Sequence, residues 1–439
     1  MASGSKSDQP LRIGIAGLGT VGGGVVKVFA AHAALLEARA GRPVVIAGVS
    51  ARNRVQDRGI DLAPFTWFDD CRDMATSPDI DVVIELIGGS DGIARELVEL
   101  ALANGKHVVT ANKALLAHHG VALATVAEAK SVTLAYEAAV AGGIPVIKGL
   151  REGLAANRVT RIVAILNGTC NFVLGLMEDQ GMSFADAVRK AQDVGFAEAD
   201  PTTDIGGFDA AHKLAILASI AFSTQVNVSA VDTTGIESIE AQDIKAAAEL
   251  GYRIKLLGVA TNDGGGCSQR VQPALVPLSH PLAFVSGPGN AVRLEADFVG
   301  SVEFVGPGAG EGPTASAVVA DISDIARGLD VPTFGVRVGE LSKPAVSAID
   351  ETPAAFYLRM EMADEKGTVA AMSRLLADND ISIETMIQRP AKGHSPGDIM
   401  PVIVVTYPAN PKALFAAVRA IEGANILARL PHVIRIESL

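Results

Sequence analysis

The tightest constraint on the fold is one glycine turn. Gly17-Leu18-Gly19-Thr20-Val21-Gly22 directly follows an apolar stretch at 11–16 and opens a helical one beginning Gly23-Gly24-Val25-Val26. Gly17 permits a tight turn, Gly19 lets backbone amides approach a pyrophosphate, and Gly22 allows close helix–strand packing with the helix N-terminus facing the phosphate charge. Such a run can be no more than a turn. Its place after a first strand, before a helix and inside a βαβ pattern points instead to a dinucleotide, with Leu18, Thr20 and Val21 completing the phosphate loop.

Further short β-branched runs at 44–49, 81–87, 106–110 and 133–135 alternate with Ala/Leu-rich stretches. That alternation predicts a Rossmann-type parallel sheet with crossover helices. The second strand ends Ser50-Ala51-Arg52-Asn53-Arg54 with no acid to hold a ribose 2′-hydroxyl. Arg52, Arg54 and Ser50 can instead hold a 2′-phosphate, which favours NADP(H) while leaving NAD(H) possible; the bland reading is a pair of solvated loop arginines.

The texture changes near residue 138. A strand at 159–166 is followed by helices at 183–194, 208–222 and 240–251, then strands at 269–276 and 297–304, a Gly/Pro-rich turn and a helix at 314–327. This predicts an α+β catalytic and dimerisation domain over 138–309, with about 310–330 returning to complete the dinucleotide-binding domain of 11–137. Residues 331–350 read as a connector. Strands and helices at 355–362, 367–378, 381–388, 401–406, 411–422 and 431–437 then follow the βαββαβ order of a ferredoxin-like fold, a small separate domain over 351–439. Residues 1–10 are expected to be disordered.

With 439 residues, 49% of them hydrophobic, the chain is long enough for about three domains. Thirty-seven Lys+Arg against 49 Asp+Glu give a net charge of −12, which repels nucleic acid and anionic lipid. Cys71, Cys170 and Cys267 lie too far apart for a disulfide framework or a CxxC knuckle, which fits a reducing cytoplasm. No run of 18 apolar residues stands out, so no membrane segment is expected.

The densest polar constellation lies between Gly195 and Lys213: Glu198, Asp200, Asp204, Asp209 and Lys213 fall within sixteen positions among turn-forming Gly and Pro. Asp209 and Lys213 share a helix face, and the helix continues in apolar residues, so the pair sits at the mouth of a buried element rather than on an open surface. Hydride exchange with an alcohol or aldehyde needs a group to handle the hydroxyl proton and carboxylates to hold a substrate ammonium. Lys213 suits the first role and the acids the second; because nearby carboxylates keep a lysine protonated, Lys213 reads best as a proton donor to a carbonyl. Lys113, at the carboxyl edge of the parallel sheet, can serve as a second cation, or be a solvated helix-opening residue. Asn167-Gly168-Thr169-Cys170-Asn171 opens a helix whose free amides suit an anionic group. Cys170 there could instead be the nucleophile of an acylating aldehyde dehydrogenase, although no histidine is obviously paired with it.

These motifs together, with Thr110-Ala111-Asn112-Lys113 and Gly308-Ala309-Gly310 before Pro313-Thr314-Ala315, resemble the homoserine dehydrogenase family over about residues 11–330. The resemblance implies interconversion of L-aspartate 4-semialdehyde and L-homoserine with a nicotinamide cofactor, in threonine, methionine and isoleucine biosynthesis. It makes Lys213 the acid/base and Asp209 and Glu198 substrate-binding residues, with Asp204 beside them. It puts Lys113 between nicotinamide and substrate, Thr169 near the substrate, and Gly310 and Thr314 beside the cofactor. Glu137 with the backbone of Val140, Gly142 and Ile144 matches a monovalent-cation site, usually assigned to sodium. The C-terminal unit resembles an ACT domain, with Asp364-Glu365-Lys366-Gly367-Thr368-Val369 at its first strand–helix turn. Feedback by threonine is the implied role; a purely structural or dimerising domain is the alternative. A monofunctional enzyme and a homodimer or homotetramer are expected. A non-catalytic amino-acid sensor has no use for Lys113, Asp209 and Lys213 together.

Overall fold

The computed structural model describes residues 9–262, 264, 266–343, 352–389, 393 and 395–439. The expected disordered start therefore lies almost wholly outside the described residues, as do residues 344–350 of the connector.

The first unit contains β1 (Leu11–Ala16), α1 (Thr20–Ala40), β2 (Val44–Ser50), β3 (Thr66–Trp67), β4 (Val82–Glu85), α2 (Ile93–Ala103), β5 (His107–Thr110), α3 (Lys113–Lys130) and β6 (Leu134–Ala135). Its six strands are all parallel in the order β3-β2-β1-β4-β5-β6. The order reverses beside β1, and in such sheets ligands sit at that switch point, outside the carboxyl ends of the strands. By length and composition α1 is long and apolar enough to cross a membrane, although no unbroken apolar run marks it in the sequence. Here it packs Val25, Val26 and Phe29 into the core that also takes residues of β1 and of α10 (Glu311–Arg327).

The second unit holds α4 (Val146–Lys148), β7 (Val159–Ile165), α5 (Gly168–Gln180), α6 (Phe184–Asp193), α7 (Thr202–Ile205), α8 (Phe208–Phe222), β8 (Val231–Thr233), α9 (Ala241–Glu249), β9 (Tyr252–Asn262), β10 (Cys267–Pro277), β11 (Gly289–Ala296) and β12 (Gly300–Pro307). Three of these strands, β8, β9 and β11, were not anticipated, and the last lies about three residues beyond the expected 297–304. The C-terminal unit is β13 (Ala355–Ala363), α11 (Thr368–Ala377), β14 (Ile383–Gln388), β15 (Ile399–Thr406), α12 (Pro411–Gly423) and β16 (His432–Ile436).

The C-terminal unit has the expected βαββαβ order and also extends the sheet of the second unit. Its strand order β16-β13-β15-β14 is the ferredoxin-like one, but β16 also pairs in parallel with β10, so one ten-stranded sheet runs β12-β11-β7-β9-β10-β16-β13-β15-β14 with β8 on β10. An unpaired strand edge is a liability, and each unit covers the other's. Buried charges lock the seam. Asp243, at the start of α9, accepts hydrogen bonds from Tyr357 Oη at 2.9 Å and from Arg359 Nε at 2.7 Å. Glu437 accepts from Arg270 at 2.8 Å and from Arg161 at 2.6 Å. The described part of the connector is also packed rather than loose: Phe334 is fully buried against the Tyr136 ring, and Tyr136 Oη donates to Thr333 O at 2.7 Å.

Candidate active site

Every glycine of the first turn is doing a different job. A Cβ on Gly22 would sit 2.0 Å from Gly17 O, and one on Gly17, whose φ is +104°, would sit 2.5 Å from Leu86 O; both positions admit only hydrogen. A Cβ on Gly19 would meet nothing within 4 Å. The empty space above Gly19 is where a pyrophosphate can approach the start of α1. A cavity of about 450 Å³ opens there, lined by Gly17, Leu18 and Gly19 and by Ser50 and Arg52 at the end of β2. Thr20 and Val21 open α1 just beyond it.

Arg54 does not line that cavity; its guanidinium lies 5.5 Å from the centre of the Trp67 ring. Two unanticipated residues do. Arg58 donates to Leu18 O at 3.0 Å and to Asn53 O at 2.6 Å, fastening the loop after β2 to the glycine turn. Asp69, held by Trp67 Nε1 at 3.0 Å, brings a carboxylate to the same cavity. A further residue, Glu85, is fully buried at the end of β4; it accepts the amides of Ile87 and Gly88 and the Thr110 hydroxyl, fixing the turns after β4 and β5.

The first turn of α3 starts from that latch. The Asn112 side chain caps it by accepting the Leu115 amide at 3.1 Å, which places Lys113 at the helix mouth. Across from it, α8 carries Asp209 and Lys213 on one face. Asp209 accepts from Lys213 Nζ at 2.7 Å through Oδ2 and pairs with Lys113 Nζ at 3.0 Å through Oδ1. Lys213 Nζ also donates to Leu166 O at 2.9 Å, just past β7. Asn167 Nδ2 donates to Asp209 at 2.9 Å and to Asp204 at 2.7 Å. The His118 and His212 rings, 5.3 Å apart and edge to face, set the spacing of α3 and α8.

Two carboxylates side by side are pushed apart in acidity. Burial would raise Asp209, but the charges of Lys213 and Lys113 and the Asn167 amide outweigh it and hold it below the usual carboxylate range. Asp204 is raised by burial, only partly offset by Asn167. The charge of Asp209 in turn raises Lys113. Such separation of neighbouring titrating groups marks acid–base sites. Glu198 is exposed at the rim, close enough for its charge to favour the protonated Lys113. Thr169 turns its hydroxyl to Phe196 O at 2.8 Å, on the same rim.

Cys170 stands against its nucleophile alternative. It is buried, its Sγ donates to Asp204 O at 3.1 Å, and burial raises its thiol well above the ordinary value, the opposite of what an attacking thiolate needs.

The turn after β12 closes the site from the other side. Gly310, at φ +128°, precedes α10, and the Thr314 amide donates to Gly310 O at 3.1 Å. A Cβ on Gly142 would lie 2.5 Å from Gly308 O, so the turn that holds Val140, Gly142 and Ile144 abuts it directly. Glu137 is buried there; Oε1 accepts the Ile147 amide at 3.0 Å and Oε2 the Lys148 amide at 2.8 Å. Burial and then the nearby Asp321 push Glu137 up to about 7. Among the described residues no three His, Cys, Asp or Glu side chains converge as a metal-binding group, so a cation here would rest on one carboxylate and on carbonyl oxygens.

Three family models match the chain: "Homoserine dehydrogenase, NAD binding domain" over residues 17–137, "Homoserine dehydrogenase" over 145–323 and "ACT domain" over 356–423. The homoserine dehydrogenase of Neisseria gonorrhoeae is 44% identical over 98% of this chain and 99% of its own length. That of Pseudomonas aeruginosa is 43% identical over 98% of this chain and the whole of its own. The crystal structure of a homoserine dehydrogenase from Thiobacillus denitrificans superimposes with a TM-score of 0.92 at 41% identity, covering 98% of this chain and 99% of that one.

Proposed function

The chain belongs to the homoserine dehydrogenase family, and from that premise we propose that it interconverts L-homoserine and L-aspartate 4-semialdehyde with Lys213 as the acid/base. The observation that carries the reading is the convergence of Lys213 and Lys113 on buried Asp209, beside the carboxyl edge of the parallel sheet.

The nicotinamide, when bound, supplies or takes the hydride at the substrate's C4. The chain's own work is at the oxygen. Asp209 and Leu166 O occupy two of the three Lys213 hydrogens and leave the third to give to a carbonyl oxygen, or to return from a hydroxyl. Lys113 adds a second positive charge as oxygen gains negative character. Asp204 and Glu198 complement the substrate ammonium, and the amides at the start of α5 with Thr169 suit its carboxylate.

For the cofactor, Ser50 and Arg52 in the cavity support NADP(H); Asp69 in the same cavity supports some use of NAD(H). The raised Glu137 carboxylate and the carbonyls of Val140, Gly142 and Ile144 suit a monovalent cation, sodium by its preference for hard oxygen donors. The turn at residues 364–369, where Gly367 has a φ of +95° before α11, would take threonine as effector. The outer edge of β12, with Val305 exposed, suits a strand-to-strand homodimer.

Initial rates with homoserine and NADP or NAD, with and without threonine, test reaction, cofactor and regulation together. Lys213→Ala is expected to lose about a hundredfold or more in kcat while binding cofactor normally; undiminished turnover would refute the assignment.

A further inference from the structure

Lys213 does not hold the Leu166 carbonyl alone. Asn290 Nδ2, from β11 on the neighbouring strand, donates to the same oxygen at 3.0 Å, against 2.9 Å for Lys213 Nζ. We propose that Asn290 is a positioning residue for Lys213, acting through their shared carbonyl; the proposal rests on the reading of Lys213 as the proton-transfer group.

A carbonyl oxygen has two lone pairs, and here the two donors take both, so the oxygen is fixed where the ammonium needs it. With Asp209 as the other acceptor, the tetrahedral ammonium has two hydrogens tied and the third aimed. Were the carbonyl to swing, the third hydrogen would swing with it.

Two further observations separate this from ordinary packing. Asn290 is 1% exposed, and its Oδ1 is buried with no hydrogen-bond partner among the described residues. An apolar side chain would fill the space without that unpaired oxygen; what the amide adds is its N–H on the Leu166 carbonyl. The amide is also held in place: a Cβ on Gly308 would lie 2.1 Å from both Asn290 Cγ and Oδ1, so it lies in a notch that only glycine leaves open. Asn290 thereby links the Lys213 anchor to the Gly308–Gly310 turn on the other side of the site.

The test compares wild type, Asn290→Leu and Asn290→Asp. It measures kcat and KM for homoserine from about pH 6 to about pH 10, the dissociation constant of the cofactor by fluorescence, and the pH midpoint for competitive acetylation of Lys213, read by mass spectrometry without turnover. Asn290→Leu is expected to lower kcat about ten- to a hundredfold, to leave KM and cofactor affinity within about threefold, and to displace the acetylation midpoint together with the basic limb of kcat. Asn290→Asp, which sets a carboxylate against the shared carbonyl, is expected to move the midpoint upward. If the leucine variant fails to fold, the aspartate variant decides by the same readings. An unchanged kcat and midpoint overturns the proposal, as does a fall in cofactor affinity that accounts for the lost rate. Should wild type not oxidise homoserine while the midpoint moves as stated, the reading of function fails and the role of Asn290 stands.

Discussion

Asp209 shows how far a sequence carries at the scale of single residues. Its i,i+4 spacing from Lys213 was visible, because helix geometry fixes that neighbour. Its second partner, Lys113, stands nearly a hundred positions away, and only the fold brings it to 3.0 Å. Arg58 and Asn290 leave no periodic trace for the same reason, since each acts on a backbone carbonyl distant in sequence, and Glu85 joins two turns through the Thr110 hydroxyl 25 positions on. Glu137 yields a prediction from acidity. Its folded value, about 7, stands above the ordinary 4.5, so the fold binds its proton more tightly than the unfolded chain does. Stability should therefore be greatest below pH 4.5 for this group and fall as pH rises toward 7. Glu137→Gln should flatten that slope in denaturant titrations. In wild type, added sodium should raise the melting temperature above about pH 7 and have no such effect on the Gln variant.

At the scale of elements, the glycine turn separates structure from binding. Gly22→Ala would drive a methyl against Gly17 O and should cost about 2–4 kcal/mol by thermal or chemical unfolding. Gly19→Ala has open space and should leave stability within about 0.5 kcal/mol. Yet it should weaken cofactor binding tenfold or more, about 1.4 kcal/mol, if the pyrophosphate occupies that space; equal affinity would remove the phosphate loop from that position. The alternation of strand and helix was legible because crossover connections impose it. The strands β9 and β11 were not. The middle of β9, from Ile254 to Ala260, is buried throughout and so lacks the alternation of polar and apolar residues that announces a strand, whereas β11 does alternate, Val292-Arg293-Leu294-Glu295, but over too short a run to stand out between two Gly/Pro-rich turns.

Across the whole molecule, the surprise is the seam between β10 and β16. The βαββαβ order of the last ninety residues was readable, but a parallel pairing of two rungs, Ala274 with Arg435 and Leu275 with Ile436, leaves nothing in the pattern to find. Removing one member of a buried ion pair strands the other, so Asp243→Ala should cost about 3–5 kcal/mol. Calorimetry should show the second and C-terminal units melting as one transition in wild type and as two in that variant; a split already present in wild type would make the seam weak. The same sheet backs α8, which carries both Asp209 and Lys213. If an effector turns the C-terminal strands, the β10–β16 rungs are a backbone route by which that twist would reach the wall behind Asp209 and Lys213, so a variant that weakens the seam should lose effector response before it loses basal turnover.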